Sequence, residues 1–335
     1  MIIKKGKTVV VALSGGVDSS VAVALLKEQG FSVIGVFMRF CSEEVSSGGT
    51  KANEVAKALN IPFYVLDVRN EFKKKVIDSF LSSLKKGVTP NPCVICNREI
   101  KFGILFKKLG DYKADYLATG HYVKLKEGKL FIAKDKNKDQ SYFLWRIKKE
   151  WLDKLTFPLG DYEKKETRKI AKKFKLSTLE EKESQEICFI PDDISSFLKR
   201  NFPDSPGKII NTFGEVIGEH NGLFNYTIGQ RKGLGFSGGP YYVLNKDVKK
   251  NNLIVTKNEK ELSRKELFYA EENFFQDISF PFNGKVKIRY RSNPIDAVVE
   301  KEKVVFSHKQ RAVTPGQSVV FYKNEELLGG GIISR

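Results

Sequence analysis

Cysteine is scarce in this chain. Four cysteines occur among 335 residues, at Cys41, Cys93, Cys96 and Cys188. A disulfide-stapled extracellular domain carries far more cysteine for its length, so that class of protein is excluded. We therefore expect a protein of the reducing cytoplasm, in which the cysteines carry thiol chemistry or bind a metal.

Long apolar runs are also absent. No stretch approaches the ~18 consecutive apolar residues that a membrane-spanning helix needs. The first residues resemble a secretion signal, with Lys4, Lys5 and Lys7 before an apolar run, but that run is short and ends in glycines and Asp18. Internal repeats and low-complexity tracts are missing too. We expect no membrane association and a cytoplasmic location.

Acidic residues are outnumbered by basic ones. Lys and Arg total 58 against 40 Asp and Glu, which gives a formal net charge of +18. This surplus favours a polyanionic partner such as nucleic acid. A lysine-rich proteome would produce the same surplus without such a partner, so charge alone does not decide.

The first 115 residues or so alternate β-branched runs with helical patterns. Runs such as TVVVAL and FSVIGVFM alternate with SSVAVALLKEQG and TKANEVAKALN. This alternation predicts an α/β doubly wound parallel sheet. The later stretch ADYLATGHYVKL adds a strand with Gly120 and His121 at its carboxyl end, where ligands gather in such sheets.

The residue composition and pattern change after Pro203. Short runs such as YYVLN and NNLIVT, with the Gly-rich IGQRKGLGFSGGP, indicate a small β-rich central domain, whose GQRKGLG loop suits phosphates or is a solvated hairpin. From about Phe274, period-two runs such as QSVVFY predict a C-terminal β-barrel. We place the domains at 1–200, 201–272 and 273–335.

One barrel segment carries a basic stripe. In KVKIRYR, period two would place four side chains on one strand face and leave the apolar ones on the other. Such a face suits the phosphate backbone of a nucleic acid. The four residues are Lys285, Lys287, Arg289 and Arg291.

The stretch VVVALSGGVDSSVAVALLKEQG predicts a strand, a glycine turn and a helix that starts at Asp18 or Ser19. Backbone N–H groups at that helix start favour an anion, and Ser14, Ser19 and Ser20 offer hydroxyl donors. The Walker lysine is missing, and the dinucleotide pattern G-x-G-x-x-G does not match. An ordinary strand-to-helix turn, in which Asp18 or Ser19 caps the helix, is the alternative.

The stretch TPNPCVICNREIKFG places Cys93 and Cys96 three residues apart. A structural zinc site needs four ligands, and no second C-x-x-C or histidine pair lies nearby. A thioredoxin-like motif needs another setting. Two interpretations stay open: a pair of buried core cysteines, or a reactive Cys96 whose thiol pKa is lowered by a helix start and by Arg98.

Seven motifs carry a resemblance to a known family. SGGVDSS matches the S-G-G-x-D-S signature of the PP-loop ATP pyrophosphatases, which cleave ATP to AMP and pyrophosphate. Together the motifs resemble those of the bacterial tRNA-specific 2-thiouridylases, in the same order and over nearly the whole chain. They are SGGVDSS, TPNPCVICNREIKFG, ATGHYV, KDQSYFLW, ESQEICFIPDD, GQRKGLG and TPGQSVVFY.

The resemblance implies ATP-dependent sulfur insertion at C2 of the wobble uridine of tRNAs for lysine, glutamate and glutamine. ATP with Mg²⁺ would adenylate the C2 oxygen. Cys188 would carry a persulfide from a sulfur-relay donor protein, shielded by its apolar neighbours, and Cys96 would be the nucleophile that releases the sulfur. A Cys96–Cys188 disulfide would result, which a reductant must reopen. We expect a monomer that binds one tRNA.

The resemblance also implies binding residues. Those for ATP are Ala12, Leu13, Ser14, Gly15, Gly16, Val17, Asp18, Ser19, Met38 and Gly120. Those at the target base are Asn91, Pro92 and Cys93. Those for the rest of the tRNA are His121, Lys138, Asp139, Gln140, Arg289, Tyr290 and Gln317. Each polar residue also has a structural interpretation: a hydrogen-bonded histidine, a solvated KDQ turn, a turn glutamine.

One position departs from the family pattern. Cys93 stands where the best-described members have an aspartate thought to assist proton movement, so its acid/base role is open. The three thiols of Cys93, Cys96 and Cys188 are alternatively suited to a four-iron, four-sulfur cluster with one open iron. Cys41 has no partner in the pattern and is interpreted as structural.

Two other functions compete. One is another PP-loop tRNA thiolase, such as a 4-thiouridine or 2-thiocytidine synthetase, neither of which is expected to combine GQRKGLG with this barrel. The other is a non-enzymatic RNA-binding protein with a degenerate nucleotide pocket. The intact SGGVDSS motif and the two distant cysteines argue against lost catalysis.

Overall fold

The computed structural model describes residues 6–40, 48–176, 187–190, 193–234 and 238–334. Cys41 lies outside these residues, so its structural role stays a prediction. The described strands form three sheets. No helix in the described segments is both long and apolar enough to cross a membrane.

The N-terminal region contains a parallel sheet and a hairpin. Its strands are β1 (Thr8–Ala12), β2 (Ser32–Arg39), β3 (Phe63–Asp67), β4 (Tyr116–Ala118), β5 (Lys124–Lys126), β6 (Lys129–Phe131) and β7 (Leu155–Thr156). The sheet order is β3-β2-β1-β4-β7, and every neighbouring pair is parallel. The chain leaves β1 toward β2 on one side and returns to β4 on the other. The topological switch point, where such sheets bind ligands, therefore lies between β1 and β4.

Helices cover both faces of this sheet. They are α1 (Val17–Glu28), α2 (Gly48–Ala58), α3 (Arg69–Phe72), α4 (Asp78–Lys85), α5 (Pro92–Cys96), α6 (Gly103–Lys108), α7 (Lys164–Lys173) and α8 (Ile194–Asn201). On one face of the sheet, Val9 and Val11 of β1 pack against α1 and α2. On the opposite face, Val10 belongs to a separate hydrophobic core that includes α4 and α5. All three valines are fully buried, which explains the unbroken apolar run. The predicted doubly wound sheet is confirmed.

The central domain is a four-stranded sheet. Its strands are β8 (Gly207–Ile210), β9 (Val216–His220), β10 (Tyr242–Asp247) and β11 (Asn252–Thr256), in the order β10-β11-β8-β9. Ile209, Val243, Leu253 and Val255 are buried in a small core of their own. The predicted β-rich central domain is confirmed.

The C-terminal strands close into a six-stranded barrel. They are β12 (Ser263–Phe274), β13 (Phe282–Lys287), β14 (Ile295–Glu300), β15 (Lys303–Arg311), β16 (Ser318–Lys323) and β17 (Glu326–Ile333). Their order is β12-β15-β14-β13-β16-β17, and β12 also pairs with β17. The hairpin β5–β6 extends this sheet through Phe131 and Glu326. The predicted boundary at 272/273 falls inside β12.

The predicted basic stripe is wrong. β13 ends at Lys287, so the period-two pattern does not reach Arg289 or Arg291. Lys287 is only 8% exposed, and burial lowers the pKa of its ammonium. Lys285 pairs with Asp296 at 3.1 Å. These four basic side chains therefore do not form one exposed strand face.

Candidate active site

The SGG loop follows β1 and leads into α1, which begins at Val17, slightly earlier than predicted. Gly16 is the cap residue, and its carbonyl oxygen accepts from Ser20 N–H at 3.2 Å. The hydroxyls of Ser19 and Ser20 donate to the same oxygen at 3.0 and 2.9 Å. Of the three serines predicted to face an anion, Ser14 is the exposed one. The first-turn N–H groups of α1 have no helical acceptor four residues back, as an anion site requires.

Two glycines bring the walls of this loop together. Gly15 has φ +81°, and a Cβ there would lie 2.4 Å from the Gly48 carbonyl oxygen at the start of α2. At Gly120, after β4, a Cβ would lie 2.7 Å from the backbone nitrogen of Ser19. At Gly16, by contrast, the nearest atom to an added Cβ is Ser14 Oγ at 3.6 Å, an ordinary van der Waals distance. The loop is thus a narrow cradle at the switch point, and its glycine backbone and first-turn donors are suited to a phosphate.

The other predicted ATP contacts differ in what they can offer. Leu13, Val17 and Met38 have side chains that are 1%, 7% and 5% exposed. The Leu13 N–H is already bonded to the Val36 carbonyl oxygen at 2.9 Å. Ala12 is half-buried at the end of β1. Contacts from these positions to ATP remain predictions.

Asp18 is bonded by a residue that sequence reasoning missed. Lys164 Nζ lies 2.7 and 2.8 Å from the two carboxylate oxygens of Asp18. The Tyr122 hydroxyl donates to Asp18 Oδ1 at 2.9 Å, and burial raises the Tyr122 pKa, which keeps that proton in place. The Lys164 side chain is 11% exposed and that of Asp18 34%. Lys164 lies 146 residues after Asp18 in a highly charged stretch, so no local signal marks it.

The TPNPC motif forms the start of α5. Asn91 is its N-cap, because its side-chain oxygen accepts from Cys93 N–H at 3.2 Å, and Pro92 occupies the first turn. Pro92 is buried and Cys93 is half-buried. The three residues predicted at the target base are therefore held together by one capped turn.

Cys96 does not lie at a helix start. It ends α5, which continues directly into a π-helical segment, Asn97–Phe102, and then into α6. Cys96 is 6% exposed, and burial raises the pKa of its thiol to about 12. Arg98 lies 3.4 Å from Glu99 in an ion pair. The predicted low thiol pKa is wrong, because burial dominates and Cys96 is the last residue of α5.

Lys101 is the cation that lowers the pKa of the three thiols most strongly. Its ammonium opposes the rise in pKa that burial causes at Cys93 and Cys96, and it also acts to lower the pKa of the Cys188 thiol. Five residues along an α-helix turn the side chain by roughly 140°, away from Cys96. In the π segment each backbone hydrogen bond spans five residues, as in the bond from Gly103 N–H to the Arg98 carbonyl oxygen. This wider turn brings Lys101 back toward the side of the helix on which Cys96 lies. Sequence reasoning missed this effect.

Cys188 is exposed, whereas its neighbours are anchored. Phe189 is 5% exposed and Ile190 8%. The Phe189 ring lies 5.7 Å from that of Phe72 and 5.8 Å from that of Phe80. Phe189 and Ile190 therefore anchor the segment in the core, and shielding of a Cys188 persulfide by its apolar neighbours stays a prediction.

Cys93, Cys96 and Cys188 are all free thiols. The Cys96–Cys188 disulfide of the catalytic cycle stays a prediction. Among the described residues, no three Cys, His, Asp or Glu side chains are grouped closely enough to hold a metal ion. The arrangement of the three described thiols therefore does not fit an iron–sulfur cluster.

His121 is a buried neutral residue beside these elements. It is 8% exposed, and burial lowers its pKa well below the usual value. Its Nδ1 lies 2.7 Å from Thr119 Oγ1, and its ring stacks on Phe102 at 5.9 Å. The structural interpretation of this histidine thus has direct support, and a tRNA contact remains a prediction.

The KDQ motif is not a solvated turn. Asp139 is 3% exposed and accepts from Ser141 Oγ at 2.8 Å and from Ala133 N–H at 3.1 Å. Gln140 Oε1 accepts from Tyr122 N–H at 2.9 Å. Lys138 is the remaining residue and is half-buried. The Asp139 and Gln140 side chains therefore hold this turn against the protein.

The C-terminal barrel contacts the TPNP loop that precedes Cys93. Gln317 Nε2 donates to the Thr89 carbonyl oxygen at 2.8 Å, and Tyr290 packs on Phe143 with ring centroids 4.4 Å apart. Arg289 donates to the backbone carbonyl of Arg311 at 3.2 Å and to that of Ala312. Gln317 and Tyr290, both predicted to bind tRNA, thus join the barrel to the N-terminal domain, whereas Arg289 is bonded within the barrel.

Three family models match successive parts of the chain. The tRNA methyl transferase HUP domain matches residues 7–192, the tRNA methyl transferase PRC-barrel domain 195–257 and the aminomethyltransferase beta-barrel domain 264–333. Among solved structures, NMN synthetase from Francisella tularensis is 16% identical, with a TM-score of 0.35, over 54% of this chain and 67% of that one.

Curated relatives are similar from end to end. The tRNA-specific 2-thiouridylase MnmA of Carboxydothermus hydrogenoformans is 44% identical over 98% of both chains. MnmA 2 of Clostridium botulinum strain Langeland is 43% identical over 97% of this chain and 98% of its own. MnmA of Syntrophomonas wolfei is 42% identical over 97% and 99%. The chain belongs to the tRNA-specific 2-thiouridylase family.

Proposed function

We propose that this chain is a tRNA-uridine 2-sulfurtransferase that uses ATP to replace the C2 oxygen of the wobble uridine in tRNAs for lysine, glutamate and glutamine. The observation that carries the proposal is the 44% identity with a named 2-thiouridylase over 98% of both chains. The phosphate cradle after β1 and the formal net charge of +18 agree with an ATP-dependent enzyme of RNA.

In the first step the C2 oxygen of the uridine attacks the α-phosphorus of ATP. A C2–O–P bond forms, the bond to the β-phosphate breaks, and pyrophosphate leaves. The close glycine walls of the loop and the first-turn amides of α1 support placement of the phosphates in the loop. Mg²⁺ would enter with ATP and neutralise phosphate charge. Adenylation makes AMP the leaving group on C2.

In the second step sulfur reaches C2 from a persulfide on Cys188. The terminal sulfur bonds to C2, and the Cys96 thiolate attacks the Cys188 sulfur. The original S–S bond breaks, its electron pair stays on the sulfur at C2, and AMP leaves. A Cys96–Cys188 disulfide remains, which a thiol reductant reopens with two electrons. The exposed Cys188 supports loading by a sulfur-relay protein.

Cys96 must lose its proton before it can attack. With a thiol pKa of about 12, it is protonated in the described arrangement. The Lys101 ammonium opposes that shift, so it favours the thiolate in the reacting complex. Cys93 shares the capped turn with Asn91 and Pro92, and we assign these three to the target base. The Cys93 thiol is the candidate acid or base there.

Binding of the remaining tRNA is assigned to residues around this site. Arg289, Tyr290 and Gln317 come from the barrel, and His121 and Lys138 from the N-terminal domain. The contacts of Gln317 with Thr89 and of Tyr290 with Phe143 support one continuous surface. We propose that the enzyme acts as a cytoplasmic monomer on one tRNA.

The test is mass analysis of tRNA nucleosides after reaction of the metal-free protein with ATP, Mg²⁺, unmodified tRNA and a persulfide donor. The proposal expects 2-thiouridine at the wobble position, with AMP and pyrophosphate formed in equal amounts. A 4-thiouridine or 2-thiocytidine product would identify another PP-loop thiolase. Unmodified tRNA that still binds would indicate a non-enzymatic protein. Activity that appears only after iron and sulfide reconstitution would favour the cluster route.

A further inference from the structure

The SGG loop has no lysine of its own, but the fold brings one to it. Lys164 is the first residue of α7, and its ammonium contacts both carboxylate oxygens of Asp18 at 2.7 and 2.8 Å. Asp18 is the second residue of α1, within the turn that forms the phosphate cradle. A cation therefore stands at the wall of the cradle, delivered from a distant part of the chain.

The start of α7 is fixed firmly enough to aim this side chain. Lys164 N–H donates to Asp135 Oδ2 at 3.0 Å. Glu163 and Glu166 form a reciprocal capping box around the same turn. Lys134 Nζ holds Glu166 at 2.9 Å. The backbone of Lys164 is thus set by the protein independently of its side chain.

A purely structural role explains this lysine poorly. α7 and α1 are already joined at their other ends by Lys173 and Glu28, which lie 2.7 Å apart with side chains 64% and 51% exposed. Joining the helices therefore does not require a partly buried ion pair, which carries a desolvation cost that an exposed pair avoids. The Lys164 ammonium also lies 5.8 Å from the ring centroid of Tyr122, whose hydroxyl binds Asp18.

We propose that Lys164 is a catalytic residue that contacts the phosphates of bound ATP and stabilises the negative charge that develops as pyrophosphate leaves. Asp18, held by Tyr122, keeps the ammonium at the cradle before ATP arrives. A preorganised cation in a partly buried site is effective against developing phosphate charge. The inference rests on the proposed adenylation and names the residue that takes the place of the missing loop lysine.

The test compares Lys164→Gln, Lys164→Met and Lys164→Arg with the control Lys173→Met. Gln keeps a hydrogen-bond donor to Asp18 without the charge, so it remains informative if Met impairs folding. Lys173→Met removes an exposed ion pair between the same two helices. Three quantities are measured: ATP affinity without tRNA, pyrophosphate release at saturating ATP with tRNA, and the unfolding temperature.

We expect Lys164→Gln and Lys164→Met to weaken ATP binding by about tenfold or more, the effect of one lost hydrogen bond between charged groups. Pyrophosphate release should fall by about 100-fold, with partial recovery in Lys164→Arg. Lys173→Met should match the wild type in both. A folded Lys164→Gln with ATP affinity and pyrophosphate release within about twofold of the wild type would overturn the inference. Because ATP binding is measured without tRNA, its loss supports the inference even if the wild type makes no thiouridine.

Discussion

Gln317 of the barrel donates a hydrogen bond to the carbonyl oxygen of Thr89, two residues before the Asn91 cap of the cysteine helix, at 2.8 Å. Thr89 N–H in turn donates to the Pro315 carbonyl oxygen at 3.0 Å. The TPGQ turn of the barrel and the TPNP loop therefore hold each other. Gln317, which is predicted to bind tRNA, therefore also holds the TPNP loop in place.

Gln317→Ala should lower the rate of thiolation without changing ATP affinity. It removes the side-chain bond to Thr89, worth about 1 kcal/mol, and leaves the SGG cradle untouched. The matched control is Gln310→Ala, which removes a barrel glutamine bonded to the nearby His308 carbonyl oxygen. Equal thiolation rates for both variants would show that the Gln317 side chain does not position the TPNP loop for the reaction.

The pKa of Cys96 leads to a prediction about alkylation. Only the thiolate reacts, so a pKa of about 12 keeps native Cys96 almost inert to iodoacetamide at about pH 8, and its reactivity should rise as the pH increases toward 12. In denaturant the thiol should react at the ordinary rate. Peptide mass analysis of labelled protein measures this. Rapid labelling of native Cys96 at that mildly alkaline pH would contradict the assigned burial.

Lys101→Met should make the Cys188 and Cys96 thiols still less reactive at a given pH. The Lys101 ammonium acts to lower the pKa of both thiols, and the variant removes that charge. Lys107→Met is the control, because Lys107 is an exposed lysine on α6, the continuation of the same helical segment. Alkylation rates over a pH series provide the measurement. Identical pH profiles for the two variants would exclude an effect of Lys101 on the thiols.

Phe189→Ala should destabilise the protein and slow thiolation. The ring is 5% exposed and packs on Phe72 and Phe80, so its removal leaves a cavity that costs about 3–5 kcal/mol. Because the ring anchors the segment of Cys188, sulfur transfer should slow even below the unfolding temperature. Phe213→Ala, at a position 88% exposed, should change stability by about 0.5 kcal/mol or less. Unfolding curves that coincide for the two variants would refute the anchor.

The sequence predicts the parts of this protein that depend on local patterns. The apolar run at Val9–Val11 is long enough only for a strand buried on both faces, and SGGVDSS marks its glycine turn. Lys164 was missed because its contact with Asp18 depends on how α7 packs against α1, which no local pattern records.

Two errors have related causes. The prediction of a thiolate at Cys96 is wrong because the burial of this residue and the π segment after it are consequences of tertiary packing. The prediction of a basic stripe is wrong because the strand ends at Lys287. The chain then turns, and Ser292 N–H bonds to the Arg289 carbonyl oxygen at 3.2 Å. Period two cannot reveal where a strand stops.

In the proposed reaction Cys188 carries the sulfur and Cys96 releases it. The most direct measurement is mass analysis of tRNA nucleosides after reaction of the wild type, Cys96→Ser and Cys188→Ser with ATP and a persulfide donor. We expect 2-thiouridine at the wobble position with the wild type and none with either variant, while both variants still bind tRNA. Normal 2-thiouridine formation by either serine variant would contradict this proposal.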